Sequence, residues 1–296
     1  MNLEGLLTID GVDAYVAYKT VVVKGGHNGL LAWPSLKEVE TNDWHEYDGL
    51  EVDLASPVLA SKEFSVDFYI FGSDDDGLTN LSGLVAALRN GAYHTLNFAQ
   101  VGREVKLRVV SFGDPEIYPE GLALSVTFAD DFPLDGYVYQ SPSSSEPEYD
   151  DYLIDDSPFT DYGVRITQGT LKSVINMADV KQNLRRDIST VSGAIYDDPA
   201  AEGLTASEAL VKLSFRSVKL YCYLTADGLN GFWRNYDALL YDLTKPGTHK
   251  LTSRVTGKEL GCYYESCEVE DLWIDPGKVA LRFIVSLKVV EASDYY

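Results

Sequence analysis

Several scarcities narrow what this chain does before any pattern is read. Base is scarce: 24 Lys and Arg stand against 46 Asp and Glu in 296 residues, a formal net charge of −22. A role that depends on a basic face gripping phosphate therefore lacks its electrostatic drive. Long apolar runs are missing, and stretches such as Gly83–Leu88 stop far short of the roughly 20 residues a bilayer-spanning helix needs. Cysteine is limited to Cys222, Cys262 and Cys267. That odd count without a C-x-x-C pair excludes a disulfide framework and a zinc spacing, and reads as buried small apolar side chains. The opening MNLEGLLTIDG sets Glu4 where a secretory n-region carries Lys or Arg, so a cytoplasmic start without a signal peptide is expected.

What is present points to strands. Twenty Tyr against two Met, with 45% hydrophobic residues, suit pleated, half-buried surfaces better than helical bundles, and the apolar fraction excludes a disordered chain. Charge divides the chain. Residues 1–140 hold 8 basic and 22 acidic residues, a net −14; residues 141–156 hold 0 and 6; residues 157–296 hold 16 and 18, a net −2. The middle piece, SPSSSEPEYDDYLIDD, mixes Ser, Pro and acid and reads as a linker. Each flanking block is of ordinary domain size.

The two blocks repeat an order of events. In the first, alternation marks strands over Asp13–Lys24, Phe64–Phe71, Glu104–Phe112 and Leu122–Phe128, and one helix follows Asp76-Gly77-Leu78, with Leu81, Leu84, Val85 and Leu88 at helical spacing. In the second, Asp227-Gly228-Leu229 opens a helix with Phe232, Tyr236, Leu239, Leu240 and Leu243 on one face. Gly91 and Gly247 close the two helices. VGREV (101–105) then matches TGKEL (256–260), and GLAL (121–124) matches GKVAL (277–281), each with turn chemistry to suit. Upstream, 8–24 and 153–170 both run from an Asp-rich turn into strands. Residues 25–63 and 171–209 diverge. The chain reads as a tandem duplication of a mainly β (α+β) domain with one packed helix: 1–140 with a long excursion at 25–63, an acidic linker at 141–156, and a divergent copy at 157–296.

Catalytic signatures are thin. His27, His45, His94 and His249 include no helical i, i+4 zinc pair, and no G-x-S-x-G, P-loop or G-x-G-x-x-G is present. His94 and His249 fall at equivalent places after the helix, which suits a shared hydrogen bond better than a duplicated active site, since no partner recurs at matched positions. Asp43, Glu46, Asp48, Glu51 and Asp53 offer carboxylates for glycoside hydrolysis but read as a solvated loop face. Asp74–Asp76 lack the alternating ligands and closing Glu of a calcium loop and read as acids at a helix N-terminus. No catalytic residue, metal or cofactor is assigned. Trp33, Trp44 and Tyr47, aromatics in the acidic excursion, are candidates for subunit contacts.

The run from Asn42-Asp43-Trp44 through GLEVD (49–53) into SKEFSVDFYIFGS, then LVAALRNGAYHTLNF, the VGREVKLRVVS hairpin and GLALSVTFADDFPL resembles the tail-tube and distal-tail (baseplate hub) proteins of tailed bacteriophages. The resemblance implies two tandem β-sandwich or partial-barrel domains, each with one flanking helix, and an excursion hairpin that pairs with a neighbouring subunit. It implies a structural, non-enzymatic virion protein assembled in the bacterial cytoplasm. Such a protein closes a homo-oligomeric ring, as a pseudo-sixfold trimer or a hexamer, contacts other tail proteins, and lets DNA pass without specific binding. On this reading the acidity of 1–140 keeps phosphate from sticking to the channel wall. A carbohydrate-binding or adhesin-like module is the alternative, with Trp33, Trp44, Trp233 and Trp273 as stacking platforms.

Overall fold

A computed structural model describes residues 3–42, 51–144, 152–167, 195–197, 204–206, 217–254, 257 and 259–292. The chain is mainly β. It starts with β1 (Leu7–Ile9), β2 (Val12–Asp13), helix α1 (Ala14–Tyr18) and β3 (Thr20–Val22). The excursion carries α2 (Asn28–Leu31), β4 (Thr41–Asn42) and β5 (Glu51–Val52), after which come β6 (Lys62–Phe71), α3 (Asp74–Arg89), β7 (His94–Phe98), β8 (Arg103–Phe112), β9 (Glu116–Tyr118) and β10 (Gly121–Asp130). The second half adds β11 (Tyr152–Ile154), β12 (Ser157–Pro158), a 3₁₀ turn (Phe159–Tyr162), β13 (Val164–Ile166), β14 (Ile195–Asp197), β15 (Leu204–Ala206), β16 (Ser217–Ala226), α4 (Gly228–Leu243), β17 (His249–Ser253), β18 (Glu259–Asp275) and β19 (Lys278–Ala292).

Two antiparallel sheets share one strand order. The first runs β2-β1-β7-β8-β10-β6-β3, with β9 on β10, and the second runs β12-β11-β17-β18-β19-β16-β13. Each opens on a tight hairpin whose two central residues have positive φ, Asp10 (51°) with Gly11 (80°) and Asp155 (48°) with Asp156 (65°), as a two-residue type I′ turn requires. The first sheet curls because β8 serves two neighbours. Its start pairs with β7 and its end with β10, and the register slips between Thr127 and Phe128, leaving Val110 unmatched. A bulge of this kind bends a strand from one layer toward the other. Inward residues Phe64, Val66, Phe68 and Ile70 on β6 and Leu122, Leu124, Val126 and Phe128 on β10 are buried, the period-2 pattern visible in the sequence.

Some expectations change. The segment 13–24 is not one strand: the Asp13 carboxylate accepts from the Tyr15 and Val16 amides (2.8 and 2.9 Å) and starts α1, and Lys19, at φ 51°, stops it. Together with α2, this gives the first half three helices among the described residues rather than one. The Asp-Gly-Leu match is three residues out of phase, because Asp227 caps α4 whereas Asp76 lies inside the first turn of α3. The last part of the acidic connector is β11, paired with β17, since Tyr152 and Ile154 are buried there. The excursion is ribbon-like: Leu36 bridges Leu59 and β4 pairs with β5. Of 171–209, only the antiparallel pair of β14 and β15 lies within the described residues.

Candidate functional site

The excursion crosses onto the second half of its own chain. Trp33 is only 5% exposed; its ring centroid lies 4.6 Å from that of Tyr236 on α4, with edge contacts to Tyr264 on β18 and Phe283 on β19. Two buried hydroxyls fix the crossing backbone, Tyr236 Oη donating to the Leu31 carbonyl and Tyr264 Oη to the Pro34 carbonyl, each at 2.8 Å. Burial pushes both phenols up, Tyr236 the most completely enclosed, so they stay neutral donors. Lys62 Nζ donates to the Leu30 and Ala32 carbonyls from below, and burial pushes its ammonium down to about 8 although Asp130 opposes the shift.

A second lock lies at the β7–β8 turn. Trp233 Nε1 donates to the Val101 carbonyl at 2.6 Å, and the Arg103 guanidinium lies 4.3 Å from the Trp233 ring while bonding the Asp237 carboxylate. Burial pushes Asp237 up and Arg103 pulls it back. The buried apolar residues of both halves form one continuous cluster. Neither Trp33 nor Trp233 therefore offers a stacking platform.

The paired histidines have matched partners after all. His94 Nδ1 donates to Asp10 Oδ2 at 2.7 Å, and the Thr95 amide to Asp10 Oδ1 at 2.8 Å. His249 Nδ1 and the Lys250 amide bond Asp155 at 2.6 and 2.7 Å. Sequence comparison missed the aspartates because the hairpins sit 145 residues apart and the histidines 155, so no single offset aligns both. Each aspartate sits at the positive-φ turn, and each tie pins that hairpin to the strand after the helix. Burial pushes Asp10 and Asp155 up, but the bonds from histidine and backbone outweigh it and leave both below the usual carboxylate range. His94 is sealed, with Nε2 2.9 Å from the Leu88 carbonyl oxygen at the end of α3. This is the chemistry of a structural tie.

The remaining sequence candidates scatter. Trp44 and Tyr47 lie outside the described residues, as do Asp43, Glu46 and Asp48. Glu51 and Asp53 are on the ribbon, and the Asp53 carboxylate accepts from the Ala55 amide at 3.0 Å. Asp74, Asp75 and Asp76 form the first turn of α3, where carboxylates suit the helix dipole. Among the described residues no three metal-ligating side chains cluster. Trp273 is 37% exposed, with the Arg282 guanidinium 5.2 Å from its ring. Cys222, Cys262 and Cys267 are buried thiols outside any disulfide, and burial pushes Cys262 up to about 12 and Cys267 up to about 11.

The distinctive surface is the face of the first sheet turned away from its core. On β6 it presents Glu63, Ser65, Asp67, Tyr69 and Phe71, and on β10 Ala123, Ser125 and Thr127, with Gly121 and Ala129 of the same face buried. Ser65 and Thr127 hydroxyls touch at 3.2 Å. These strands put acidic, hydroxylic and small groups and the paired rings of Tyr69 and Phe71 on that face, and no Lys or Arg. The corresponding strands of the second sheet do the reverse: β16, and β19 as far as Lys288, turn Lys219, Lys278, Arg282 and Lys288 away from the core and no Asp or Glu, although Lys219 lies 3.5 Å from the Glu268 carboxylate on β18. No helix of the described residues is long and apolar enough to cross a membrane. Neither a family model nor a curated protein matches the chain. Among solved structures it is similar to the crystal structure of SPP1 Dit, described as a paradigm of the hub adsorption apparatus in phages infecting Gram-positive bacteria, at 12% identity and a TM-score of 0.33 over 97% of this chain and 99% of that one.

Proposed function

We propose that this chain is a structural, ring-forming component of a phage tail, of the distal-tail or hub type, and that the outward face of its first sheet lines a channel through which DNA passes. The observation that carries the reading is the charge contrast between equivalent strand pairs. A wall carrying Glu63, Asp67 and hydroxyl groups repels phosphate, whereas Lys278, Arg282 and Lys288 on β19 would hold it. This contrast favours a hexamer in which only the first half lines the channel over a pseudo-sixfold trimer, where both halves would share the wall. The domain division at 1–140, 141–156 and 157–296 belongs to the same proposal, as do a virion location and contacts to other tail proteins. The continuous core between the halves supports it by making one rigid building block, which suits closed symmetry. Negative-stain microscopy with native mass spectrometry tests the reading: six-membered rings with the first sheet innermost are expected. A stable monomer at micromolar concentration, or a ring lined by β16 and β19, overturns it.

A further inference from the structure

We propose an oxyanion-binding pocket, for a carboxylate or phosphate group, where the connector meets the start of α4. The cavity, of about 210 Å³, lies between the end of β16, the first two turns of α4, the first residue of β19 and Ser143–Ser144. Arg234 and Lys278 line it together with the Ser143, Ser144 and Thr225 residues. Among the described residues neither cation makes an ion pair, although Asp227 supplies a carboxylate at the same wall.

The connector wall is built rather than draped. Asn235, 1% exposed, accepts from the Ser143 amide at 2.9 Å and donates to the Ser143 carbonyl at 3.0 Å, and Arg234 Nη2 lies 3.3 Å from that same carbonyl oxygen. A guanidinium anchored at one nitrogen keeps others to bind an oxyanion in a fixed orientation, and hydroxyls complete its shell.

The first half supplies an internal control. Both helices have 16 residues and a glycine at the fourth position, Gly77 in α3 and Gly231 in α4. In the first half the strand–helix junction is sealed: a Cβ on Gly77 would stand 2.5 Å from the Gly72 carbonyl oxygen, and Asn80 Nδ2 donates to the Phe71 carbonyl at 2.9 Å. In the second half a Cβ on Gly231 would meet only Ala226 Cβ, at 3.8 Å, and Arg234 stands at the seventh position where α3 has Asn80. The same place in the fold is closed and acidic once, open and basic the other time.

Isothermal titration of the full chain with inorganic phosphate, at constant ionic strength, tests the site. Saturable binding of one phosphate per chain is expected, weakened at least about tenfold by Lys278→Gln and by Arg234→Gln, as loss of a charge-assisted hydrogen bond implies. Gly231→Leu fills the cavity while keeping both cations and is expected to abolish it. Competition by acetate assigns the site to oxyanions generally; phosphate binding without competition narrows it to phosphates. Lys278 is exposed, so its variant folds whatever Arg234 does. No saturable heat, or equal binding in wild type, Lys278→Gln and Gly231→Leu, overturns the proposal. So does binding that emerges only after Glu146→Gln and Glu148→Gln, which would give the cations to the chain's own connector.

Discussion

Replacing Arg103 by Leu tests how the halves are held together. Arg103 packs on Trp233 and pairs with Asp237 across the junction, with side-chain exposures of 31% and 9%. Removing it strands a carboxylate in the interior. Breaking a buried pair in this way costs about 3–5 kcal/mol, and the partial exposure of Arg103 places the loss near the lower end. Loss of the cation–π contact adds about 0.5–1 kcal/mol. Urea unfolding at pH 7 is therefore expected to show a deficit of roughly 3–4 kcal/mol.

The pH dependence follows from the direction of the Asp237 shift. Its folded carboxyl is raised above the ordinary 3.8, first by burial, so the penalty for its charged form is absent below that value and grows as pH rises through the folded one. Arg103 opposes the rise, and without it the rise is larger. The variant's deficit should thus shrink as pH falls from 7 toward 4. A double variant, Arg103→Leu with Asp237→Leu, should recover most of the loss, because no charge is left buried. A cost below about 1 kcal/mol at pH 7, or a double variant no more stable than the single one, would refute the reasoning.

Trp33→Ala should cost about 3–5 kcal/mol in urea unfolding, because the ring fills the junction among Tyr236, Tyr264 and Phe283 and its loss leaves a cavity. Asp10→Ala and Asp155→Ala should each lower stability by about 1–2 kcal/mol in thermal melts, and additively, since the two ties lie in different sheets. Both carboxyls are held below 3.8 in the folded chain, so the stabilisation they supply is present at neutral pH and lost as pH falls below that value. The thiols of Cys262 and Cys267, raised by burial to about 12 and about 11, should resist a disulfide reagent at pH 8 in the native chain. All three cysteines should react promptly in denaturant, and fast native labelling of either residue would contradict their burial.

Much of the fold was legible because strands and helices announce themselves locally. The alternation in FSVDFYIF and LALSVTF needs no partner to be read, and it coincides with β6 and β10. α1 escaped because AYVAY shows strand-like alternation, while the deciding contact is the Asp13 cap on Tyr15 and Val16. The strand in the connector escaped because Tyr152 and Ile154 gain their burial only from β17. The aspartate partners of His94 and His249 lie 84 and 94 residues upstream, beyond any motif. Arg234 and Lys278 gave no sequence signal at all, since 44 residues separate two cations that share one pocket.

The amino-acid sequence alone determined a mainly β chain with an acidic first block, few bases, reduced buried cysteines and an internal repeat, because composition and period follow from each residue's own solvation and backbone preference. Only the tertiary structure decided that the excursion fastens the halves into one core and that Arg234 and Lys278 share one pocket. Those outcomes depend on which distant residues share a face or a junction, and strand pairing, rather than distance along the chain, sets that.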